Sequence, residues 1–286
     1  MEKKKKKRSR LAEVWRRLKK NKGAVISLFV IAAIILCAIL APVIAPYPYE
    51  QQDFNAPFAG SSKEHLLGTD RLGRDLLSRI IYGARQSLQM GLIAVAIAAV
   101  LGIIIGSIAG YYGRFADTLI MRLLDIYQSI PMFLLCVTLA AVLGPSLRNA
   151  ILAIGISQVP GFARLMRASI LTLREREFIE SAKAIDASNG WIIRKHIIPN
   201  AIAPVIVSLT MSIGNAILAG ATLSFIGLGS QPPIPEWGAL ISEGRNYMRE
   251  HFTLSLYPGI CVMLVVLSFN LLGDGLRDAL DPRLKN

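Results

Sequence analysis

The sequence has 286 residues, of which 53% are hydrophobic, and its mean hydropathy is +0.48. With its long uncharged runs, this composition excludes an ordinary soluble globular protein and predicts an integral membrane protein. The net charge of +13 is concentrated at the start, because 12 of the 32 Lys and Arg residues lie in positions 1–22. A basic run just before an apolar segment is typical of a cytoplasmic anchor on anionic lipid. Membrane lipid, and not nucleic acid, is therefore the expected partner.

The first apolar run, residues 23–46, is predicted to be a retained transmembrane helix. Its 22 uncharged residues from Gly23 to Ile44 exceed the apolar part of a signal peptide and can cross about 30 Å of hydrocarbon. The basic segment 1–22 is expected to be amphipathic and cytoplasmic. All three cysteines lie within apolar runs, so neither a disulfide framework nor a metal site is predicted.

Residues 47–86 are predicted to form an external loop that contains one interfacial helix. Asp75 is placed to cap this helix. Its apolar face would consist of Leu76, Leu77, Ile80 and Ile81. The second span, at about 87–110, is rich in Gly and Ala, which let helices approach closely in lipid.

Residues 87–277 are predicted to form a five-helix transmembrane core. After the second span, its helices are expected at about 126–147, 150–171, 201–228 and 252–273. Asp117, Arg122 and Asp125 are spaced as neighbours on a cytoplasmic extension of the third span. Arg164 and Arg167 lie near the cytoplasmic end of the fourth span, where long side chains can reach the headgroups. The polar segments are a cytoplasmic loop at 172–200, an external loop at 229–251 and a cytoplasmic tail at 278–286.

The distribution of basic residues tests this topology. With both termini inside, 24 of the 32 Lys and Arg residues lie on the cytoplasmic side and eight lie outside. This bias is the one expected of membrane proteins. The predicted fold is therefore an all-α integral membrane protein with six transmembrane helices and both termini in the cytoplasm.

The 172–200 loop has a specific local pattern. Phe178, Ala182 and Ile185 are predicted to share one helical face, and Glu180 and Lys183 are spaced to pair. Asn189-Gly190 can end that helix in a left-handed conformation, and a second short helix would follow until Pro199 stops it. The small residues around Ala182 would allow this helix–turn–helix to dock against another protein.

This loop resembles the cytoplasmic "EAA" loop of ATP-binding-cassette importer permeases. Glu180, Ser181 and Ala182 occupy the Glu-Ala-Ala positions, Asp186 occupies the following Gly position, and Ile198-Pro199 closes the pattern. The stretches "LGTDRLGRDLLSR", "LSFIGLGSQPPIPEWG" and "DGLRDALDPR" are similar to the second permease subunit of dipeptide and oligopeptide importers. The resemblance covers nearly the whole chain.

The resemblance implies a subunit of a bacterial inner-membrane importer. Its expected partners are a sister permease, two ATPases that bind ATP and Mg²⁺, and an external solute-binding protein. The residues implied at the ATPase contact are Glu180, Ser181, Ala182, Lys183, Asp186, Asn189, Gly190, His196 and Pro199. The implied external motif residues are Gly68, Thr69, Asp70, Gly73, Arg74, Asp75, Gln231, Pro232, Pro233, Pro235, Glu236 and Trp237. No catalytic residue is expected, and no residue is assigned to the solute.

Alternatives remain at several positions. Asp186 is equally consistent with a tolerated exposed residue and with a left-handed residue that replaces Gly. His196 fits an ordinary loop histidine, since no second histidine lies at ligand spacing. Asp70, Arg74 and Asp75 fit surface pairs around a helix cap better than solute contacts, and "QPPIPEWG" fits either a stiff loop or a segment near the gate or the docked binding protein.

Other functional classes are less consistent with the sequence. A secondary transporter driven by an ion gradient would usually need ionisable groups or broken helices near the midplane. A membrane enzyme would need a nucleophile or a metal cluster within its membrane-spanning part. A membrane-anchored scaffold would not explain six spans joined by a loop with this specific pattern. The sequence lacks a Gly-x-x-x-x-Gly-Lys-Ser/Thr loop, so the chain itself is not expected to bind ATP as a cofactor.

Overall fold

The computed structural model describes residues 10–280, which are helical apart from loops and one isolated bridge between Thr69 and Asp75. The α-helices are α1 Arg10–Leu18, α2 Lys22–Ile44, α3 Leu76–Tyr112, α4 Arg114–Gln128, α5 Met132–Leu143, α6 Leu147–Leu171, α7 Glu177–Ala184, α8 Asn189–Ile192, α9 Ile198–Ala201, α10 Ala203–Phe225, α11 Trp237–Gly244 and α12 Thr253–Leu280. The all-helical fold class is thus confirmed for these residues. The basic run 1–9 and most of the predicted tail lie outside them.

Four of the described helices, α2, α3, α10 and α12, are long and apolar enough to cross a membrane. The pair α4–α5 also passes as one span, although it is bent by 81° at residues 129–131. α6 has 25 residues, about 37 Å at 1.5 Å per residue, but it carries fewer apolar residues. Six spans with both termini in the cytoplasm therefore stay a prediction.

Two of the predicted helix boundaries are wrong. The interfacial helix and the second span are one continuous helix, α3, because no Gly-Pro break or charge cluster separates them. The third span is not continuous over 126–147. Pro131 lacks an N–H and disfavours helical geometry in the residue before it, so α4 ends at Gln128 and α5 begins at Met132.

Glycines hold α3 close against α6, as the small residues of this span predict. Gly102, Gly106 and Gly110 lie one turn apart on the face of α3 that meets α6. A methyl group on Gly106 would overlap the Ala163 carbonyl oxygen, and one on Gly110 would come within 2.9 Å of the Ile170 side chain. Only a residue without a side chain permits this approach.

α4 is joined to α6 by two ion pairs, which the sequence did not predict. Arg167 donates to both carboxylate oxygens of Asp117, and Arg164 donates to Asp125 over 2.7 Å. The two arginines therefore pair with α4 and do not only extend toward lipid headgroups. α4 has no buried residue, so these pairs are its main attachment to α6.

We expect Gly106→Ala to destabilise the protein because the added methyl group meets backbone atoms that cannot move aside. Overpacking of this kind costs about 1–3 kcal/mol. Gly161→Ala on α6 is the matched control, since nothing lies within 4 Å of its added carbon. Thermal unfolding of the purified variants in detergent measures the difference. Equal melting temperatures for the two variants would show that the α3–α6 approach does not limit stability.

Candidate functional site

The 172–200 loop forms two short helical segments whose inner side belongs to the core. α7 supplies the buried residues Ile179 and Ala182, and the second segment supplies Ile192 and Ile197. These side chains join one apolar cluster with α3, α5, α6 and α10. Displacement of the loop would therefore disturb the same packed cluster that joins these helices.

The turn between the two segments lies earlier than predicted. Asp186, two residues after the end of α7, adopts the left-handed conformation with φ of 55°. Asp186 therefore has the left-handed geometry that the sequence offered as one alternative, and its side chain is exposed as well. Asn189 and Gly190 do not end the first helix; they begin α8.

Pro199 does not stop the second segment. α8 continues through a π-helical turn, Ile193–Ile197, into α9, where Pro199 occupies the first turn. The π turn lies directly before Pro199, whose ring and missing N–H would interrupt the hydrogen bonds of a regular α-helix at this point.

Contacts between the loop and the end of α3 replace the predicted Glu180–Lys183 pair. None of the ion pairs within residues 10–280 joins these two side chains. The ammonium group of Lys183 instead lies over the Tyr111 ring, 5.9 Å from its centre. The Tyr111 hydroxyl donates to Asn189 Oδ1 over 2.7 Å. Tyr111 therefore joins both loop segments to α3, a role that no local sequence pattern indicated.

The outer side of the loop exposes several apolar side chains among charged ones. Phe178 and Ile185 do not share the buried face of Ala182; their exposed fractions are 39% and 76%. Trp191 is 45% exposed, and the His196 ring lies between it and Phe178, at 4.8 and 6.3 Å. Glu180, Ser181 and Lys183 flank this patch as exposed residues. His196 thus has aromatic neighbours in an apolar patch.

At the other end of α3, two arginines and two carboxylates form a largely buried network. Asp70 accepts from Arg74 Nε and Arg79 Nη1, both over 2.6 Å. Glu243 accepts from Arg74 Nη2 over 2.9 Å and from Arg79 Nη1 over 2.8 Å. We call these four residues the arginine network. Its two positive and two negative charges balance, as buried ions require.

The sequence-predicted motif residues around this network form caps, turns and hydrogen bonds within the chain. Asp75 caps α3 by accepting from the Ser78 amide over 2.8 Å, and it lies 2.9 Å from His65 Nδ1. The Thr69 hydroxyl donates to the Ala56 carbonyl over 2.6 Å. The left-handed Gly68 and Gly73 turn the chain where a side chain would strike backbone atoms. The expectation of surface pairs was wrong, because Asp70, Arg74 and Asp75 are at most 5% exposed.

The proline-rich segment ends at Glu236, which caps the start of α11 and also bonds to α3. Glu236 accepts from the Gly238 and Ala239 amides and from the Ser87 hydroxyl, and Trp237 Nε1 donates to the Ile80 carbonyl over 3.0 Å. The exposed Gln231 donates to the Gly227 and Gly229 carbonyls. Of the prolines between Gln231 and Glu236, Pro235 is buried, whereas Pro232 and Pro233 are exposed.

Sequence reasoning missed Arg79, Glu243 and Tyr111. Arg79 lies only four residues after Asp75 in the motif "GRDLLSR", so its position at the end of that motif was a usable signal. Glu243 lies 164 residues away from Arg79 along the chain, and no local pattern connects them. Within residues 10–280, no group of three or more His, Cys, Asp or Glu side chains could hold a metal ion.

Comparisons with known proteins agree with the resemblance. Residues 102–286 match the family described as binding-protein-dependent transport system inner membrane component, and residues 9–60 match the N-terminal transmembrane domain of oligopeptide transport permease C. The chain belongs to this family of inner-membrane transport components. The resemblance to importer permeases is confirmed, and the secondary-transporter alternative is set aside.

Relatives of this transport component cover almost the whole chain. It is 49% identical to the dipeptide transport system permease protein DppC of Alkalihalophilus pseudofirmus, over 96% of this chain and 90% of the relative. It is 43% identical to the glutathione transport system permease protein GsiD of Escherichia coli, over 96% and 90%. An inward-facing MetNI methionine ABC transporter chain shares the fold at 18% identity, with a TM-score of 0.57 over 72% of this chain and 98% of that chain.

We expect Arg79→Gln to destabilise this transport component strongly, because Asp70 and Glu243 would keep buried charge with too few partners. Breaking one partner of a buried pair costs about 3–5 kcal/mol. The exposed Arg71, eight residues earlier, provides the matched control Arg71→Gln. Thermal unfolding in detergent should separate the two variants. If both unfold at the wild-type temperature, the arginine network does not hold the 47–75 segment to α3 and α11.

Proposed function

We propose that this chain is one of two permease subunits of an ATP-driven importer. With a sister permease it forms the translocation path for peptides of the dipeptide and oligopeptide class, which an external binding protein delivers. Its relatives named for dipeptide and glutathione transport support a peptide solute. The observation that carries the coupling role is the 172–200 loop, which presents an exposed apolar patch while its inner residues pack in the core.

Six spans would consist of α2, α3, the α4–α5 pair, α6, α10 and α12. This assignment puts both termini and the 172–200 loop in the cytoplasm, and it puts the arginine network outside. The distribution of 24 basic residues inside and eight outside supports it. The outer segments 47–75 and 229–251 would then form a stiff cap on the side from which the binding protein approaches.

Two partner ATPases bind ATP and Mg²⁺ and carry out hydrolysis, so this chain is not itself an enzyme. The absence of a phosphate-binding loop from its sequence supports this division of labour. Each ATPase docks on a permease loop. On this chain, the docking surface is the patch formed by Phe178, Ile185, Trp191 and His196.

The patch suits a protein partner for two physical reasons. An exposed aromatic and aliphatic cluster gains free energy when a partner removes it from water. The residues beneath the patch are already buried against α6 and α10. Binding of a partner therefore avoids the conformational entropy cost of ordering the base of the loop. When the ATPases close on ATP, displacement of the loop is transmitted to these helices, and the permease pair changes its access side.

A substitution at Ile185 tests this docking better than one at Ala182. Ala182 is buried within this chain, so a bulky charge there would disrupt the base of the loop as well as any interface. We expect Ile185→Lys, on the exposed patch, to abolish co-purification of the ATPases, because an unpaired charge in an interface costs several kcal/mol. Thr172→Lys adds the same charge at an exposed loop position outside the patch and serves as the control.

Membrane yield and thermal unfolding of Ile185→Lys should equal those of the control, because Ile185 is 76% exposed. Co-purification of the ATPases and ATP hydrolysis stimulated by the loaded binding protein are the measurements. Normal values of both for Ile185→Lys would rule out this patch as the docking surface.

A further inference from the structure

A pocket rich in positive charge lies where the 172–200 loop meets the end of α3. Its volume is about 320 Å³, and its charged lining residues are Arg114, Arg174, Glu175 and Lys183. We call it the basic pocket. Three of these side chains are cationic and one is anionic, so the pocket carries a net charge of +2.

The cations of the basic pocket have few counterions within the chain. Glu175 lies 3.4 Å from Arg174 Nη2, which is long for an ion pair. None of the ion pairs within residues 10–280 includes Arg114 or Lys183. By contrast, both arginines of α6 that contact α4 bind carboxylates there. The positive charge of the pocket is therefore available to a partner.

Contacts within the chain hold two of these cations in place. The ammonium group of Lys183 lies over the Tyr111 ring, whose hydroxyl bonds to Asn189. The guanidinium group of Arg174 lies against the backbone of Gly113, where an added methyl group would come within 2.9 Å of Nη1. Side chains that are positioned before binding lose less conformational entropy when a ligand binds.

The basic pocket borders the exposed apolar patch that we propose as the docking surface. Lys183 lies two residues before Ile185, and Asn189, which bonds to Tyr111, lies two residues before Trp191. A partner that covers the patch therefore also covers the cations at its edge and removes water from them. Cations that lose water in this way need opposite charge from the partner.

We propose that the basic pocket binds an Asp or Glu carboxylate of the partner ATPase. This inference rests on the proposed importer function and its docking patch. Arginine binds carboxylates through paired hydrogen bonds, and the ammonium group of Lys183 adds a point charge. Charge contacts at the edge of an interface mainly raise the association rate and select the correct partner, whereas a central apolar cluster contributes most of the affinity.

Carbodiimide cross-linking of the assembled complex tests the contact directly. The reagent joins a lysine amine to a carboxylate at ion-pair distance as an amide and takes up the water that is released. Lys183 should be joined to an Asp or Glu of the ATPase, as identified by mass spectrometry of the linked peptides. Lys183→Arg keeps the charge without a coupling amine, so it should lose the cross-link and retain the ATPases. A complex that co-purifies but gives no Lys183–ATPase cross-link would overturn the inference.

The salt dependence of ATPase binding to the permease pair gives a second test. Arg114→Gln with Arg174→Gln removes two cations from the pocket. Arg122→Gln with Arg176→Gln removes two exposed cations outside it and is the matched control. The pocket variant should bind the ATPase at least about tenfold more weakly at about 0.05 M NaCl. This difference should shrink at about 0.5 M NaCl, because salt screens charge contacts. Equal affinities of the two double variants at low salt would contradict the proposal.

Lipid composition distinguishes a carboxylate from a lipid phosphate. In nanodiscs of phosphatidylcholine alone, the difference between the pocket variant and its control should persist. A difference that arises only when phosphatidylglycerol is added would assign the pocket to anionic lipid and overturn the carboxylate.

The docking patch is tested separately by Ile185→Lys. If this variant retains the ATPases, the proposed docking function fails. If it loses them while the pocket variant behaves like its control, the patch stands and only the carboxylate inference fails.

Discussion

The close approach of α3 to α6 is the constraint on which the rest of the fold depends. Three glycines on one face of α3 let the two backbones meet where hydrophobic exclusion of water contributes little, since lipid is itself apolar. α3 begins at the arginine network and ends at Tyr111, which donates to Asn189 in the 172–200 loop. One helix therefore connects the network at one end of the protein with the loop at the other.

This arrangement gives the two ends of α3 different physical characters. At the start, buried charges and caps fix the loops with directional bonds, which resist small displacements. At the end, apolar packing joins the 172–200 loop to α6 and α10, and its outer patch stays free for a partner. The region in between contains an 81° bend at the α4–α5 break, where α4 is joined to α6 by ion pairs and α5 by apolar packing.

Local sequence signals predicted the parts that depend on neighbouring residues. The Asp75 cap, the close packing by small residues in α3 and the left-handed alternative at Asp186 are examples. Long-range contacts could not be predicted in this way. Glu243 joins Arg79 across 164 positions, and the pairing of α4 with α6 depends on their crossing, which charge spacing on one helix does not reveal. The burial of Ala182 depends equally on what packs beneath the loop.

The central claim is that the 172–200 loop and α6 move as one body. Spin labels at Ser188, exposed in the loop, and at Leu152, 41% exposed near the far end of α6, measure this by double electron–electron resonance in the assembled complex. We expect the distance between them to change by less than about 2 Å between the resting and ATP-trapped states, within the range of small helix shifts. A change of about 5 Å or more, in a complex that still hydrolyses ATP, would show that the loop moves independently and would contradict the account.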